Sequence, residues 1–266
     1  MTAINPKKLE PQIRRLLDYF DQPAQFVYEL RFLCEYYSDR AYRAGEESTL
    51  PSLIKSYHIP RPLLHEIEKY ISPLCQSQPE QALDISKALW QPDILEFKLI
   101  AIFVIKSIPT NYAQTEFQIL ENWVMGCKNI NLLQHLNNAL IEQFLLPEPL
   151  ILMGQIQNWL KSDNRALKRF GYQLLKSSID QFPFDYLPLI YKIIHSSIYE
   201  TSSSFRNDIN AIFIELTKRS PKEISYLLRS AYQEKPHPNI MRIFRETLKY
   251  YPTDQQAELE KFIHQS

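Results

Sequence analysis

Basic side chains recur at helical spacing in the second half of the chain. Arg165, Lys168, Arg169 and Lys176 fall within an arc of about 100° if residues 163–181 form a helix. Apolar residues occupy the opposite arc, so the basic stripe is predicted to face away from the core. Such a face could hold the phosphates of nucleic acid. Charged helix faces are also commonly just solvated, and a lysine near a helix end suits the helix dipole.

Further positive residues follow this stripe along the chain. They are Lys218, Arg219, Lys222, Arg229, Arg242, Arg245 and Lys249. Residues 151–266 carry sixteen Lys/Arg and twelve Asp/Glu, an excess of four positive charges. Because the whole chain has 30 residues of each sign, residues 1–150 carry four net negative charges. The formal net charge of zero therefore hides an asymmetry, although strong nucleic-acid binders usually show an overall basic excess.

Motifs for other kinds of chemistry are absent from the sequence. Gly45, Gly126, Gly154 and Gly171 are the only glycines, and no two are close, which excludes glycine-rich phosphate loops and dinucleotide-binding turns. There is no nucleophile elbow and no HExxH, and the six histidines are scattered without metal-ligand spacing. We therefore expect neither a cofactor nor a metal.

The cysteines and the N-terminus bear on where the protein works. Cys34, Cys75 and Cys127 are isolated and odd in number, so we expect buried thiols rather than a disulfide framework. The N-terminal lysines have no apolar run behind them, and the most apolar stretch, 97–108, is too short to cross a bilayer. We predict a cytoplasmic monomer without membrane contact.

The elements that position these side chains are predicted to be helices almost throughout, because the apolar periodicity is helical. Fourteen candidate helices follow one another, one of them over 60–72, and prolines at their edges separate them. Connections of two to five residues imply antiparallel helix hairpins. We predict an all-α solenoid of HEAT-like helix pairs with a concave face, a single domain over 1–266, with mobile loops at 40–49 and 196–204.

A weak internal repeat supports the solenoid. The segment 93–103 aligns with 163–173, and each has an acidic residue at its start and a small residue, Ala101 or Gly171, at the matching place. Ala211 begins a third copy, so the offsets are 70 and 110 residues. Repeats of about 35–37 residues, the length of a two-helix unit, would produce these offsets. A small residue in mid-helix permits close approach between helices.

Several segments together resemble the DNA alkylation repair family of HEAT-like repeat proteins, the AlkD-like glycosylases. The best segment, 88–102, contains Trp90, Glu96 and Ala101 in the family's Leu-Trp, spacer, Glu, Ala order. Similar segments, in the family's order, are 57–64, Trp123 with 129–135, 167–171 with Arg169 at the arginine position, and 215–224.

The resemblance implies an α-solenoid whose concave surface binds DNA. In active members it also implies removal of cationic alkylated purines. There an aspartate stabilises the developing oxocarbenium ion, and two tryptophans contact the cationic lesion through their faces.

This chain departs from the family pattern at the catalytic positions. The Trp-Asp-x-x-Asp segment corresponds here to Ile130, Asn131, two leucines and Gln134, and no Asp or Glu occurs over 122–141. Trp90, Trp123 and Trp159 are the only tryptophans, so the helix around Ala211 lacks the second stacking tryptophan.

Three hypotheses follow. The first is a DNA-binding protein with lost or much reduced glycosylase activity, in which Asn131, Gln134 and His135 line a relic pocket. Its phosphate contacts would be Arg61, Arg165, Lys168, Arg169, Lys218 and Arg219. The second is a scaffold that binds protein instead of DNA. The third is an active alkylpurine glycosylase that uses other groups, such as His135 or Glu96, although Glu96 near a helix start also suits the dipole.

Overall fold

The computed structural model describes residues 6–38, 54–182, 186–200 and 202–265. Their fourteen α-helices are α1 (Pro6–Leu17), α2 (Pro23–Tyr37), α3 (Arg61–Ser77), α4 (Pro79–Trp90), α5 (Leu95–Lys106), α6 (Ala113–Gly126), α7 (Ile130–Phe144), α8 (Pro149–Lys161), α9 (Arg165–Ser178), α10 (Leu187–His195), α11 (Arg206–Arg219), α12 (Pro221–Glu234), α13 (Pro238–Thr247) and α14 (Thr253–Gln265). These ranges contain no β-strand, only an isolated parallel bridge between Lys55 and Ile94. The predicted all-α fold is confirmed.

Prolines occupy the first turn of eight of these fourteen helices, where proline's missing N–H costs nothing. They open α1, α2, α3, α4, α8, α10, α12 and α13. Asparagine opens two others, because Asn129 and Asn164 accept hydrogen bonds from the first free backbone N–H groups of α7 and α9. The predicted role of proline as a helix boundary is confirmed at Pro79, Pro149 and Pro221.

Helix α3 is longer than its predicted span of 60–72, because it continues through Pro73 to Ser77. An interior proline removes a backbone hydrogen bond and disfavours helix. However, Leu63, Ile67, Ile71 and Cys75 form one fully buried row at helical spacing on both sides of the proline. Burial of this row keeps the chain helical across Pro73.

The chain divides into two compact units, Met1–Leu146 and Pro147–Ser266. In the first, α4 packs against α2 and α5, and α5 also packs against α3 and α7. In the second, α8 packs against α9, α9 against α11, and α11 against both α12 and α13. Each unit is thus built from helices that contact their chain neighbour and the next helix but one. The prediction of one domain over 1–266 stays a prediction.

Gly171 marks a close approach of α9 to α8. A Cβ at this position would lie 3.2 Å from Trp159 Cβ and 3.3 Å from Leu160 Cδ2. Ala101, its counterpart in the sequence repeat, is fully buried in α5. Gly171 therefore lies where two helices pack tightly and Ala101 is buried, as the repeat predicts, whereas Ala211 is only half-buried.

Two predicted loops have different outcomes. The loop at 40–49 lies outside the described residues. Two 3₁₀ turns, Ser196–Tyr199 and Ser203–Phe205, lie in and next to the connection at 196–204, whose mobility stays a prediction. Tyr172 of α9 donates a hydrogen bond to Ser197 Oγ at 3.0 Å.

None of the helices in the described part of the chain has the length and apolar character that crossing a membrane requires. The described residues also contain no cluster of histidine, cysteine and carboxylate side chains that could hold a metal ion. All three cysteines are free thiols; Cys34 and Cys75 are buried as predicted, whereas Cys127 is only half-buried.

Candidate nucleic-acid interface

The first two turns of α7 present the three residues of the predicted relic pocket. Asn129 caps this helix, and its Oδ1 accepts hydrogen bonds from the backbone N–H of Asn131 at 3.0 Å and of Leu132 at 3.2 Å. Asn131, Gln134 and His135 are all exposed. Their spacing of three and four residues places them on one face of the helix. The structure therefore brings these residues together.

The chemistry of this α7 face is that of amides and a neutral imidazole. Desolvation, followed by the positive charge of Arg61, lowers the pKa of His135 below its ordinary value of 6.5. His135 is consequently uncharged at neutral pH. Arg61 is the exposed first residue of α3 and is close enough to exert this effect. The face can donate and accept hydrogen bonds, but it offers no carboxylate.

The two tryptophans of the first unit stack on each other. The rings of Trp90, at the end of α4, and Trp123, in α6, lie 4.2 Å apart between centroids with an interplanar angle of 6°. Trp123 is only 4% exposed. Trp123, which belongs to one of the segments that resemble the family, is thus packed against another ring of the same chain.

A lysine of the same chain lies over one ring of this tryptophan pair. Lys98 Nζ lies 4.6 Å from the centroid of the Trp90 ring and donates a hydrogen bond to the Trp90 carbonyl oxygen at 2.8 Å. Asp93 Oδ1 lies 3.3 Å from the same ammonium group. The Lys98 side chain is 8% exposed, so this cation–π contact is largely removed from water. Sequence reasoning missed Lys98, although a lysine inside the apolar stretch of α5 was a signal for it.

Glu96 holds the preceding segment against α5. Its Oε1 accepts hydrogen bonds from Ser56 Oγ at 2.7 Å and from the backbone N–H of Tyr57 at 2.9 Å. The residue is 3% exposed. The backbone N–H of Leu95 also bonds the carbonyl of Lys55 at 2.8 Å. These contacts give Glu96 a positioning role and bury it away from any ligand on the surface.

The basic stripe on α9 contacts the connection that precedes α11. Lys168 Nζ forms an ion pair with Glu200 Oε2 at 2.6 Å. Arg169 Nε lies 3.4 Å from Asp208 Oδ2, and its Nη2 donates to the Ser204 carbonyl at 2.8 Å. The structure therefore places a carboxylate beside two of the predicted phosphate contacts.

These carboxylates reduce the charge that the stripe presents. Burial raises the pKa of Asp208, and the charge and hydrogen bond of Arg169 oppose this. Arg169 still keeps a half-exposed side chain. Arg165, the first residue of α9, is exposed, and the described residues give it neither an ion pair nor a hydrogen bond. Arg165, Arg169 and the exposed Lys176 are thus more accessible than Lys168.

The remaining predicted contacts lie at the end of α11. Lys218 pairs with Glu215 at 3.0 Å on the same helix. Arg219 donates to the carbonyl of Phe182, just beyond α9. Both cations therefore have a partner within the second unit.

The described helices define an all-α protein built from helix pairs, with exposed amides and a small number of accessible cations. Residues 55–250 match the family described as DNA alkylation repair enzyme. Because this match covers most of the chain, the protein belongs to the DNA alkylation repair family. No curated protein matches its sequence.

Solved structures show the same fold. The chain is similar to smu.31 from Streptococcus mutans UA159, with a TM-score of 0.53 and 16% identity over 72% of this chain and 98% of that one. It is also similar to AlkD2 from Streptococcus mutans, with a TM-score of 0.53 and 16% identity over 71% of this chain and 90% of that one.

Proposed function

We propose that this member of the DNA alkylation repair family binds DNA and has lost most or all base-excision activity. The observation that carries the proposal is the exposed face of α7. There Gln134 stands at the place where the family resemblance puts an aspartate, beside Asn131 and His135. The face has hydrogen-bonding groups, and Arg61 adds a positive charge nearby.

The missing carboxylate bears directly on the chemistry. Cleavage of a glycosidic bond develops positive charge on the sugar, which a fixed negative charge stabilises. An amide at Gln134 has no such charge. Removing one preorganised stabilising group commonly costs about 2–4 kcal/mol of barrier. That corresponds to a rate loss of roughly 30- to 1000-fold.

The tryptophan arrangement supports the same conclusion. A cationic purine needs an accessible aromatic face for cation–π contact. Trp123 is buried against Trp90, and the Lys98 ammonium group already lies over the Trp90 ring. Lesion recognition by these rings would require displacing contacts that the protein makes with itself.

DNA binding is supported by the family and by the accessible cations. Arg61 in the first unit and Arg165 in the second are exposed, and Arg169 is half-exposed. Salt-dependent attraction to phosphates needs only such accessible cations. Lys168, Lys218 and Arg219 contribute to the positive potential, but each also has a partner in the protein.

The binding experiment measures affinity for duplex, nicked and branched DNA over a salt series, with Arg61→Glu and Arg165→Glu as variants. Each lost phosphate contact should reduce the slope of log affinity against log salt by about one. The matched controls are Lys87→Glu on α4 and Lys192→Glu on α10, because both lysines are exposed but lie outside the predicted interface.

A lack of binding to all three kinds of DNA at low salt would overturn the proposal. The scaffold hypothesis would then remain, and it has one supporting feature. Helix α2 exposes an aromatic row of Tyr28, Phe32 and Tyr36.

The excision experiment incubates the protein with duplex DNA that carries cationic N-methylated purines. We expect no release of free base above the uncatalysed background. Release that falls in His135→Ala or Glu96→Gln would instead support an active glycosylase with unusual catalytic groups.

A further inference from the structure

A cavity of about 500 Å³ lies in the second unit, where three helices begin. Its lining comes from the first turns of α10, α12 and α14, from Pro252 directly before α14, and from the end of α11. Small-molecule sites in proteins have volumes of roughly 300–1,000 Å³. The cavity is therefore large enough for a small organic ligand.

The walls of this cavity are largely apolar. Leu187 and Pro188 of α10, Pro221 of α12 and Pro252 contribute to them. Proline is favoured at the start of a helix, because it has no N–H group to leave unsatisfied there. Here the same preference brings three rigid rings without hydrogen-bonding groups to one cavity. Such walls suit the apolar body of a ligand and are formed before the ligand binds.

The charged side chains of the lining carry a net positive charge. They are Arg219 at the end of α11 and Lys222 and Glu223 in the first turn of α12. Lys222 is exposed, and the described residues give its ammonium group neither an ion pair nor a hydrogen bond. The hydrogen bond from Arg219 to the Phe182 carbonyl fixes the other cation beside the cavity. Two cations against one carboxylate favour a ligand with a negative charge.

The start of α12 adds free donors to this charge. Ser220 directly precedes this helix, at a position where a serine side chain commonly accepts a hydrogen bond from the first N–H groups. Its hydroxyl instead donates to the Leu216 carbonyl at 3.2 Å and bonds the Tyr191 hydroxyl at 2.5 Å, so the helix has no side-chain cap. In the described part of the chain, the backbone N–H groups of Lys222 and Glu223 have no acceptor. Such groups at a helix start favour an oxyanion.

We propose that this cavity binds a small organic oxyanion, a molecule that joins an apolar body to one phosphate or carboxylate group. The proline rings and Leu187 contact the apolar body, while Lys222, Arg219 and the start of α12 bind the negative group. Phosphate and carboxylate share this recognition, because both accept charge-assisted hydrogen bonds. The site does not depend on the proposed DNA binding.

The first experiment measures thermal unfolding of the full chain with four probes, each added alone. Phenyl phosphate and benzoate have both an aromatic body and an oxyanion, whereas inorganic phosphate lacks the body and benzyl alcohol lacks the charge. Binding to the folded state should raise Tm by about 3–6 °C at ten times Kd. We expect this rise with phenyl phosphate or benzoate at a concentration at which the other two probes have no effect. The more effective of the two shows whether the site prefers phosphate or carboxylate.

Lys222→Gln tests the cationic end of the cavity. This variant removes an exposed charge and should weaken binding of the effective probe about tenfold, because a charged hydrogen bond is lost. Lys192→Gln is the matched control, because Lys192 is also exposed and lies on α10 but is not among the residues that line the cavity. It should respond to the probe like the unchanged protein.

Gln255→Trp tests the cavity itself. Gln255 lines the cavity from the first turn of α14 and is half-buried, so a tryptophan there should fill the space. We expect no rise in Tm with any probe, while the Tm without a probe shows that the variant is folded. The exposed position of Lys222 keeps the test decisive if Gln255→Trp does not fold.

Two results would overturn the inference. One is a rise in Tm that is equal in the unchanged protein, Lys222→Gln and Gln255→Trp, because the probe then binds elsewhere. The other is the absence of a rise with both phenyl phosphate and benzoate. DNA affinity is measured separately, so a protein that binds no DNA but responds to a probe through Lys222 loses the proposed function and keeps this site.

Discussion

Glu116, in α6, is completely buried. Gln143 Nε2 donates a hydrogen bond to its Oε2 at 2.9 Å, while its Oε1 has no partner. Burial raises the pKa of Glu116 to about 8, and the hydrogen bond from Gln143 only partly opposes this. The carboxyl group is therefore protonated in the folded protein at neutral pH. In the unfolded chain it titrates near its ordinary value of 4.5.

This shift predicts a pH dependence of stability. Between about pH 4.5 and pH 8 the folded state holds a proton that the unfolded state has lost, so stability falls as pH rises and levels off above pH 8. Glu116→Gln should remove this fall in stability with rising pH. Urea unfolding at pH 5, 7 and 9 measures the free energy of unfolding, with Glu80→Gln at an exposed position as the control. An equally steep decrease in Glu116→Gln would contradict the assignment.

Lys98 provides a second test at the scale of single residues. Lys98→Met keeps the apolar stem but removes the ammonium group that bonds the Trp90 carbonyl and lies over the Trp90 ring. We expect a loss of about 1–3 kcal/mol in the free energy of unfolding, because a buried acceptor loses a charged donor. Denaturant unfolding followed by tryptophan fluorescence measures the loss.

Lys106→Met is the control for Lys98→Met, because the Lys106 side chain is 31% exposed, against 8% for Lys98, and forms an ion pair with the exposed Glu142. Exposed pairs contribute less than about 1 kcal/mol, so this variant should remain close to the unchanged protein. If Lys98→Met were as stable as Lys106→Met, the Lys98 ammonium group would contribute nothing to the free energy of unfolding.

At the scale of elements, two glycines in neighbouring helices differ sharply in their surroundings. Gly154 in α8 has open space around the position of a Cβ, whereas Gly171 in α9 has Trp159 Cβ at 3.2 Å. Gly154→Ala should stabilise the protein by about 0.5–1 kcal/mol through helix propensity. Gly171→Ala gains the same propensity but strains the contact with α8, for which overpacking costs about 1–3 kcal/mol.

Thermal or denaturant unfolding of both variants gives the comparison. We expect opposite signs, with Gly154→Ala more stable and Gly171→Ala less stable than the unchanged protein. If both variants gained stability equally, α8 and α9 would not approach as closely at Gly171 as the structure describes.

Helix boundaries follow different rules at different places. Prolines in first turns and the asparagine caps of α7 and α9 are local signals, and the sequence predicted most of these boundaries well. Pro73 is a local signal too, yet α3 continues past it because Ile71 and Cys75 are buried in one row. Tertiary packing overrides local propensity where the apolar row continues.

At the scale of the whole molecule, the division of charge lies close to the division into units. Residues 151–266 carry sixteen Lys/Arg and twelve Asp/Glu, and the second unit begins at Pro147. We therefore expect the second unit to contribute more of the electrostatic attraction to DNA. In the salt series, Arg165→Glu should weaken binding more than Arg61→Glu does.

The reverse order would contradict this expectation and would place the main contact near α3 and α7. Comparing the two variants at several salt concentrations separates a long-range charge effect from a local contact. A long-range effect fades at high salt, because screening shortens the Debye length to about 3 Å at 1 M.

The all-α class, most helix boundaries and the lack of a carboxylate over 122–141 could be predicted from the sequence. These features depend on composition and on residues a few positions apart, so periodicity and local chemistry are sufficient to predict them. The resemblance to the DNA alkylation repair family also came from short segments in order.

Which charged groups have partners depends on how the helices pack in three dimensions. Lys168 meets Glu200 and Ser56 meets Glu96 across 32 and 40 residues of chain. Such contacts depend on how helices pack, and no local pattern encodes them. The sequence therefore predicted a basic stripe, and the structure decided which of its charges remain accessible to a ligand.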